Sequence, residues 1–270
     1  MTATAAKQIF DPAMLAGQSA LVTGGGTGIG RAIALQLAAC GARVAVAGRR
    51  IEPLQETVNL IQGAGGVALP VSTDIREPEQ VEEMVSTVAT EFGRIEILVN
   101  NAGGQFAAPS REISVRGMHA VSRLNLEATW DVTRAVALDS MIDRGGGRIL
   151  FITLAIQRGL PGLMPGVATR AAVHSITRQL GTEWARHGIG VVSLAAGHVL
   201  TDGLRGYPPE VIERLETTVP AGRLAGPEEV AATAAFLVSP AADYITGTVV
   251  DIDGGKSNWG DTYMVDRETT

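Results

Sequence analysis

Short apolar runs recur along this chain, separated by longer stretches that mix polar and apolar positions. Seven runs read as strands, at 19–23, 43–47, 67–71, 95–99, 148–153, 189–195 and 248–252. They lack the in–out alternation of a half-exposed sheet, so each predicts a strand buried on both faces. The stretches between them carry helical periodicity. In Pro78–Phe92, for example, Val81, Met84, Val85 and Val88 fall on one face. Strand and helix alternating in this way predict a single α/β fold: a doubly wound, parallel, seven-stranded sheet with right-handed crossovers and helices on both faces. Ligands of such sheets lie beyond the carboxyl ends of the strands, where strand order reverses. The residues that follow each strand are therefore the place to look for chemistry.

The first strand runs into Gly24-Gly-Gly-Thr-Gly-Ile-Gly30 and then a helix expected from about Gly28 to Cys40. Without β-carbons at Gly24, Gly28 and Gly30 the backbone turns tightly and brings its N–H groups against a phosphate, and the positive end of the helix points to the same place. The strand beyond Gly41 completes the context a dinucleotide site requires. The alternative is a tight strand–helix turn that holds nothing. After the second strand stand Arg49 and Arg50. A carboxylate there would hold the ribose 2′-hydroxyl of NAD; two arginines favour the 2′-phosphate of NADP, unless they are simply solvated. After the third strand, Asp74 and Ile75 are placed for the adenine edge, although an aspartate capping the next helix is a comparable reading.

Composition narrows the class further. The 270 residues are 46% hydrophobic with 33 glycines, which suits one large domain around a fully covered sheet. Residues 1–17 read as an N-terminal extension, 18–255 as the domain and 256–270 as a tail. The net charge of −6 implies no basic face, so no nucleic acid partner is expected. No apolar run is long enough to span a bilayer, and Met1–Pro12 holds no continuous apolar segment. A cytoplasmic protein with no membrane partner is expected. Cys40, the one cysteine, sits at the apolar end of the first helix and reads as a core residue. No metal site is expected. Lysine occurs only at Lys7 and Lys256.

After the fourth strand comes Asn100-Asn-Ala-Gly-Gly104. Together with the glycine stretch and the ending Tyr244-Ile-Thr-Gly-Thr-Val-Val-Asp-Ile-Asp-Gly-Gly255, it resembles the short-chain dehydrogenase/reductase superfamily over about residues 19–255. The resemblance implies a single Rossmann-type domain, a nicotinamide cofactor and a small-molecule substrate. It also implies a homotetramer or homodimer built through long helices at 111–143 and 163–187 and the last strand. Cofactor contacts are implied for Gly24, Thr27, Gly28, Ile29, Gly30, Asp74, Ile75, Asn101, Ala102, Gly103, Gly197, Val199 and Thr201, with a segment at about 199–222 covering the substrate.

The chemistry of that superfamily normally comes from an asparagine, a serine, a tyrosine and a lysine. Asn125, in Arg123-Leu-Asn-Leu126, matches the asparagine; its other reading is a solvent-facing polar residue within a helix. The remaining positions differ. Leu154, with Thr153 before it, stands at the serine, Gly166 at the tyrosine and Arg170 at the lysine, and Ala196-Gly197 replaces a Pro-Gly pair. Glycine brings no proton. Arginine keeps its charge and can bond ribose hydroxyls or stabilise an anion, but with a pKa above ~12 it passes no proton at neutral pH.

Asn101-Ala-Gly-Gly-Gln-Phe106, followed by Ile113-Ser-Val-Arg-Gly-Met-His-Ala-Val121, resembles the peroxisomal-type trans-2-enoyl-CoA reductases and, more loosely, the 2,4-dienoyl-CoA reductases. Their tyrosine position is also replaced, and in the first group arginine holds the lysine position. Some bacterial terpenoid alcohol dehydrogenases share this look. Hydride delivered to Cβ of an unsaturated thioester creates an enolate, which needs hydrogen-bond donors more than a tuned phenol. Thr153 and Asn125 are candidate donors. His198 is another, with a ring that titrates near neutrality, or else a hydrogen-bonded structural histidine. Tyr207 is a fourth, or else a loop-packing aromatic. Gln105, Leu154, Gln157 and Gly166 are expected to face substrate. His174, one turn beyond Arg170, reads as structural, and Tyr263 lies in the tail. The sequence thus reads as an NADP(H)-dependent reductase of an activated C=C bond. The alternatives are an alcohol, aldehyde or ketone dehydrogenase using His198 or Tyr207 as its acid, and a silenced or non-redox protein of the same fold.

Overall fold

The computed structural model describes residues 10–206 and 208–259. The first half alternates strictly: β1 (Ser19–Thr23), α1 (Gly28–Ala39), β2 (Arg43–Gly48), α2 (Ile51–Gly63), β3 (Ala68–Ser72), α3 (Pro78–Phe92) and β4 (Ile97–Asn100). The second half continues with α4 (Val115–Ser122), α5 (Ala128–Val136), β5 (Gly147–Leu154), α6 (Met164–Glu183) and β6 (Ile189–Ala196). It closes with α7 (Asp202–Arg205), α8 (Pro209–Thr217), α9 (Pro227–Val238) and β7 (Thr248–Ile252). The strands form one sheet in the order β3-β2-β1-β4-β5-β6-β7, every pair parallel. All seven expected strands are present.

The apolar runs determine this because they are covered twice. Ala20 and Val22 of β1 face a core shared with Ile33 and Leu37 of α1 and Val230 and Ala234 of α9. Leu21 faces a second core with Val85 and Val88 of α3, Val132 and Val136 of α5, and Val173 of α6. Helix α3 buries Val81, Met84, Val85, Val88 and Phe92, the stripe its periodicity predicts. The N-terminal extension contributes as well. Leu15 is fully buried in the first core, and its N–H donates to the Cys40 carbonyl at 2.8 Å.

The expected long helix at 111–143 is a correction. It starts at Val115, capped by the Ser114 hydroxyl, and is interrupted by π-helical turns at Arg123–Glu127 and Ala137–Met141. A π turn widens the helix by one residue and re-aims a side chain, and the first of these carries Asn125 into the interior. At the other end of the domain, Asp253 accepts from the N–H groups of Gly255 and Ser257 at 2.9 and 2.6 Å, folding the start of the tail back against α8. Lys256 Nζ then donates to Thr218 Oγ1 at 2.6 Å. Lys7, Tyr207 and Tyr263 lie outside the described residues.

Candidate active site

Strand order reverses between β1 and β4, and a cavity of about 500 Å³ opens beyond their carboxyl ends. Gly24, Thr27, Gly28, Ile29 and Gly30 line it from the β1–α1 turn, and Arg49 and Arg50 from the end of β2. Asp74 and Ile75 reach it from the end of β3, and Asn101, Ala102, Gly103 and Thr201 from β4 and α7. The glycines are required by shape. Gly24 has φ of +67°, and a β-carbon on Gly30 would fall on the Gly24 carbonyl oxygen. Thr27 precedes α1 without a side-chain cap, and the first turn holds no acidic residue. Its open N–H groups therefore face the cavity as an anion-binding end. Asn101 holds this turn in place, donating through Nδ2 to the Thr23 carbonyl at 3.0 Å and to that of Gly24 at 3.2 Å.

Two of the residues expected at the cofactor sit elsewhere. Gly197 donates to the Ile252 carbonyl at 2.9 Å with Asp253 against its α-carbon, and Val199 is buried in a bridge to Ala225. Neither lines the cavity. Asp74 caps its own turn rather than α3: its carboxylate accepts from the Arg76 N–H at 3.1 Å and from Arg76 Nε at 2.9 Å. The guanidinium beside it holds the Asp74 carboxyl down to about 2. Arg76 also lines the cavity, a residue the sequence reading passed over although it follows a strand end. Arg49 and Arg50 are exposed, and among the described residues neither forms an ion pair.

The second half of the site is built on α6. Gly166, Arg170 and His174 recur at every fourth position and are all buried. The Arg170 guanidinium packs against Gly103 at the cavity wall. Only 8% of Arg170 is exposed, no carboxylate pairs with it among the described residues, and burial lowers its pKa to about 10. Gly166 lies beneath Gln105, so that a β-carbon there would sit 3.2 Å from Gln105 Cβ and collide with its carboxamide. Asn125 spends both ends of its amide on the scaffold: Oδ1 accepts from the Gly104 N–H at 2.9 Å, and Nδ2 donates to the Gly104 carbonyl at 2.9 Å and to Thr169 Oγ1 at 3.3 Å. It pins the Gly103–Gln105 turn instead of offering a free donor.

Thr153 ends β5 with its hydroxyl 2.8 Å from His174 Nε2, and both residues are buried. Burial, with Arg178 and Arg170 nearby and Asp251 opposing them, holds the His174 pKa below its usual value and the ring neutral at pH 7. Leu154 is half-buried beside it. Gln157 is exposed and donates through Nε2 to Asp251 Oδ2 at 2.6 Å. His198 is half-buried beyond β6, and burial together with Lys256 lowers its pKa.

A family model described as enoyl-(acyl carrier protein) reductase matches residues 24–257. The chain belongs to the short-chain dehydrogenase/reductase family. This short-chain oxidoreductase is 34% identical over 253 residues to a probable 2,4-dienoyl-CoA reductase of Caenorhabditis elegans, covering 91% of this chain and 82% of the relative. It is 35% identical to the peroxisomal 2,4-dienoyl-CoA reductase of Pongo abelii, covering 92% and 87%. Among solved structures, a citronellol catabolism dehydrogenase of Pseudomonas aeruginosa superposes with a TM-score of 0.83 at 37% identity, over 92% of this chain and 98% of that one. A putative gluconate 5-dehydrogenase of Beutenbergia cavernae, with bound NADP, gives 0.85 at 37% identity, over 92% and 100%. No helix among the described residues is long and apolar enough to cross a membrane.

Proposed function

We propose that this short-chain oxidoreductase is an NADPH-dependent reductase of an activated C=C bond, with an unsaturated thioester as substrate. The carrying observation is the arrangement along α6. Gly166 leaves no proton donor of its own, the neutral Gln105 carboxamide occupies the space above it, and a buried Arg170 with no carboxylate partner among the described residues stands one turn further on. Such a site offers hydrogen-bond donors and a fixed positive charge, which suit an enolate, and among the described residues no phenol stands beside Arg170 as carbonyl reduction would use.

The residues present fit a dinucleotide phosphate. The β1–α1 turn is shaped by Gly24 and Gly30, which tolerate no β-carbon, and Arg49 and Arg50 line the cavity at the end of β2 with no ion pair to either among the described residues. When bound, NADPH supplies the hydride. Arg170 would hold its ribose hydroxyls, the Gln105 carboxamide would face the developing oxyanion, and the proton at Cα would come from water. The supporting relatives are the dienoyl-CoA reductases. Titration of the protein with NADPH and NADH by nicotinamide fluorescence, followed by crotonyl-CoA, tests this. Tighter binding of NADPH and its oxidation by crotonyl-CoA are expected, whereas turnover of no enoyl-CoA of any chain length would remove the reading.

A second reading is favoured by His198. A half-buried imidazole just beyond the end of β6 supplies a titratable ring for carbonyl or alcohol chemistry, and a gluconate 5-dehydrogenase of Gluconobacter oxydans is 35% identical. His198→Phe would then abolish ketone turnover with NADPH affinity intact. In either reading the enzyme works in the cytoplasm as a homodimer or homotetramer. Exposed Trp130 and Leu138 along the α5 region and Tyr244 before β7 supply apolar contact. Light scattering giving a monomer at micromolar concentration would remove that part.

A further inference from the structure

Resting on the NADPH part of the reading above, we propose that Arg76 is a positioning residue that sets the cofactor preference through Asp74. It takes up the Asp74 carboxylate and so leaves Arg49 and Arg50 unopposed for a 2′-phosphate.

Strands β2 and β3 run parallel and end together, with Gly48 paired to Ser72 and the Thr73 N–H donating to the Gly48 carbonyl at 2.8 Å. Arg49-Arg50 and Thr73-Asp74 therefore leave the sheet side by side. Three guanidinium groups, those of Arg49, Arg50 and Arg76, and the Asp74 carboxylate all line the cavity there. Which cation holds the carboxylate decides what is left for a ligand. A free carboxylate at this wall would turn to Arg49, which lies near enough to help keep it ionised. It would also offer an acceptor to a ribose hydroxyl and repel a phosphate. Both effects favour NADH.

The structure gives the carboxylate to Arg76. Oδ1 accepts from the Arg76 backbone N–H at 3.1 Å and from Nε at 2.9 Å, and Oδ2 accepts from Nε at 3.2 Å and from Nη2. These contacts fill the lone-pair positions a carboxylate has, through a fork that lysine could not reproduce. Among the described residues Asp74 pairs with no other cation. The turn that carries the pair is fixed from within and from α5. The Glu77 N–H donates to the Asp74 carbonyl at 3.0 Å and the Asp74 N–H to Gln80 Oε1 at 2.8 Å. The Arg123 guanidinium donates to the Arg76 carbonyl and is itself held by Asp131 at 3.0 Å. With 40% of the Arg76 side chain and 20% of the Asp74 side chain exposed, the pair adds little stability; its effect is on the charge a ligand meets.

The test is a double-mutant cycle read by binding, without turnover. NADPH and NADH are titrated by nicotinamide fluorescence into the native protein, Arg76→Met, Asp74→Asn and the double variant. Adenosine 2′,5′-bisphosphate, titrated by calorimetry, probes the phosphate end alone. Methionine keeps the stem of Arg76, and asparagine keeps an acceptor for the backbone N–H at 76. Arg76→Met is expected to raise the Kd for NADPH and for the bisphosphate by about tenfold or more, the value of one charge-assisted hydrogen bond. NADH should bind it no more weakly than it binds the native protein. Adding Asp74→Asn should return the NADPH Kd to within about threefold of native, because no carboxylate is then left to expose. Asp74→Asn alone should bind NADPH at least as tightly as native. Native cofactor preference in Arg76→Met overturns the proposal. So does a double variant as weak as Arg76→Met, which would make Arg76 a direct phosphate ligand, and so does equal weakening of NADPH and NADH, which would mark a structural turn. In all three the NADPH reading stands. A native protein that binds NADPH no more tightly than NADH overturns that reading, and the proposal with it.

Discussion

Gln105 rests on the α-carbon of Gly166, in the space a larger residue at 166 would claim. The two positions are therefore coupled: the polar group above the site is held there because the helix beneath it has no side chain.

Gly166→Ala would gain helix propensity worth about 0.5–1 kcal/mol. The exposed Gln105 amide is flexible and can yield, so thermal stability is expected to stay within a few degrees of native. Activity should fall, because the carboxamide is displaced. Gly166→Tyr alone is expected to give no carbonyl reductase, and pairing it with Gln105→Ala should restore room for the phenol. Scanning calorimetry and rates with an enoyl-CoA and a ketone check both parts.

Arg170 makes the folded state hold a desolvated cation. Its folded pKa of about 10 lies below the ordinary arginine value, so the charge costs stability at every pH below about 10, and the cost fades as pH rises beyond that. Arg170→Met should raise the Tm of the ligand-free protein, by about 2–4 °C for each kcal/mol recovered. The same change should weaken NADPH binding by at least about tenfold, since a charge-assisted hydrogen bond is worth about 1.5–3 kcal/mol. Thermal shift with and without NADPH separates the two effects.

Arg49 and Arg50 predict a cofactor preference. The double change to alanine should raise the Kd for NADPH by about 10–100-fold and leave that for NADH near native, the loss expected for phosphate contacts made by exposed cations. Added salt should weaken NADPH binding to the native protein more than to the variant. Fluorescence titration at two ionic strengths reads both.

Glu229 caps α9 through the Gly226 N–H at 2.9 Å and pairs with Arg223 at 2.7 Å. The guanidinium holds its carboxyl down to about 2, below the usual 4.5. A carboxylate with a depressed folded pKa adds stability above the unfolded value and loses it as pH falls through the folded one. Glu229→Gln should therefore be less stable than native at neutral pH, with the difference closing between about pH 4.5 and 2. Urea midpoints across that range test it, and a constant difference would contradict the assigned cause.

Much of this molecule was legible in the chain itself. The seven strands follow from apolar runs covered on both faces, the turn at Gly24–Gly30 from backbone geometry only glycine permits, and Asn101 and Arg49–Arg50 from their places after strands. Such features depend on neighbours close in sequence or on burial that every parallel strand shares. The pattern could not show that Asn125 would be turned inward by a π turn and spent on Gly104, that Gln157 would bond Asp251, or that Asp74 would close on Arg76. It also left His174 as a structural residue without showing its contact with Thr153, 21 positions away. Those outcomes depend on which side chains meet across the sheet and between loops. The sequence determined the sheet, the crossovers and the glycine turn after β1, because periodicity and glycine sterics are local. Only the tertiary structure decided which polar groups are consumed by the scaffold and which face the cavity, because hydrogen bonds inside a closed fold go to whichever partner packing brings within reach.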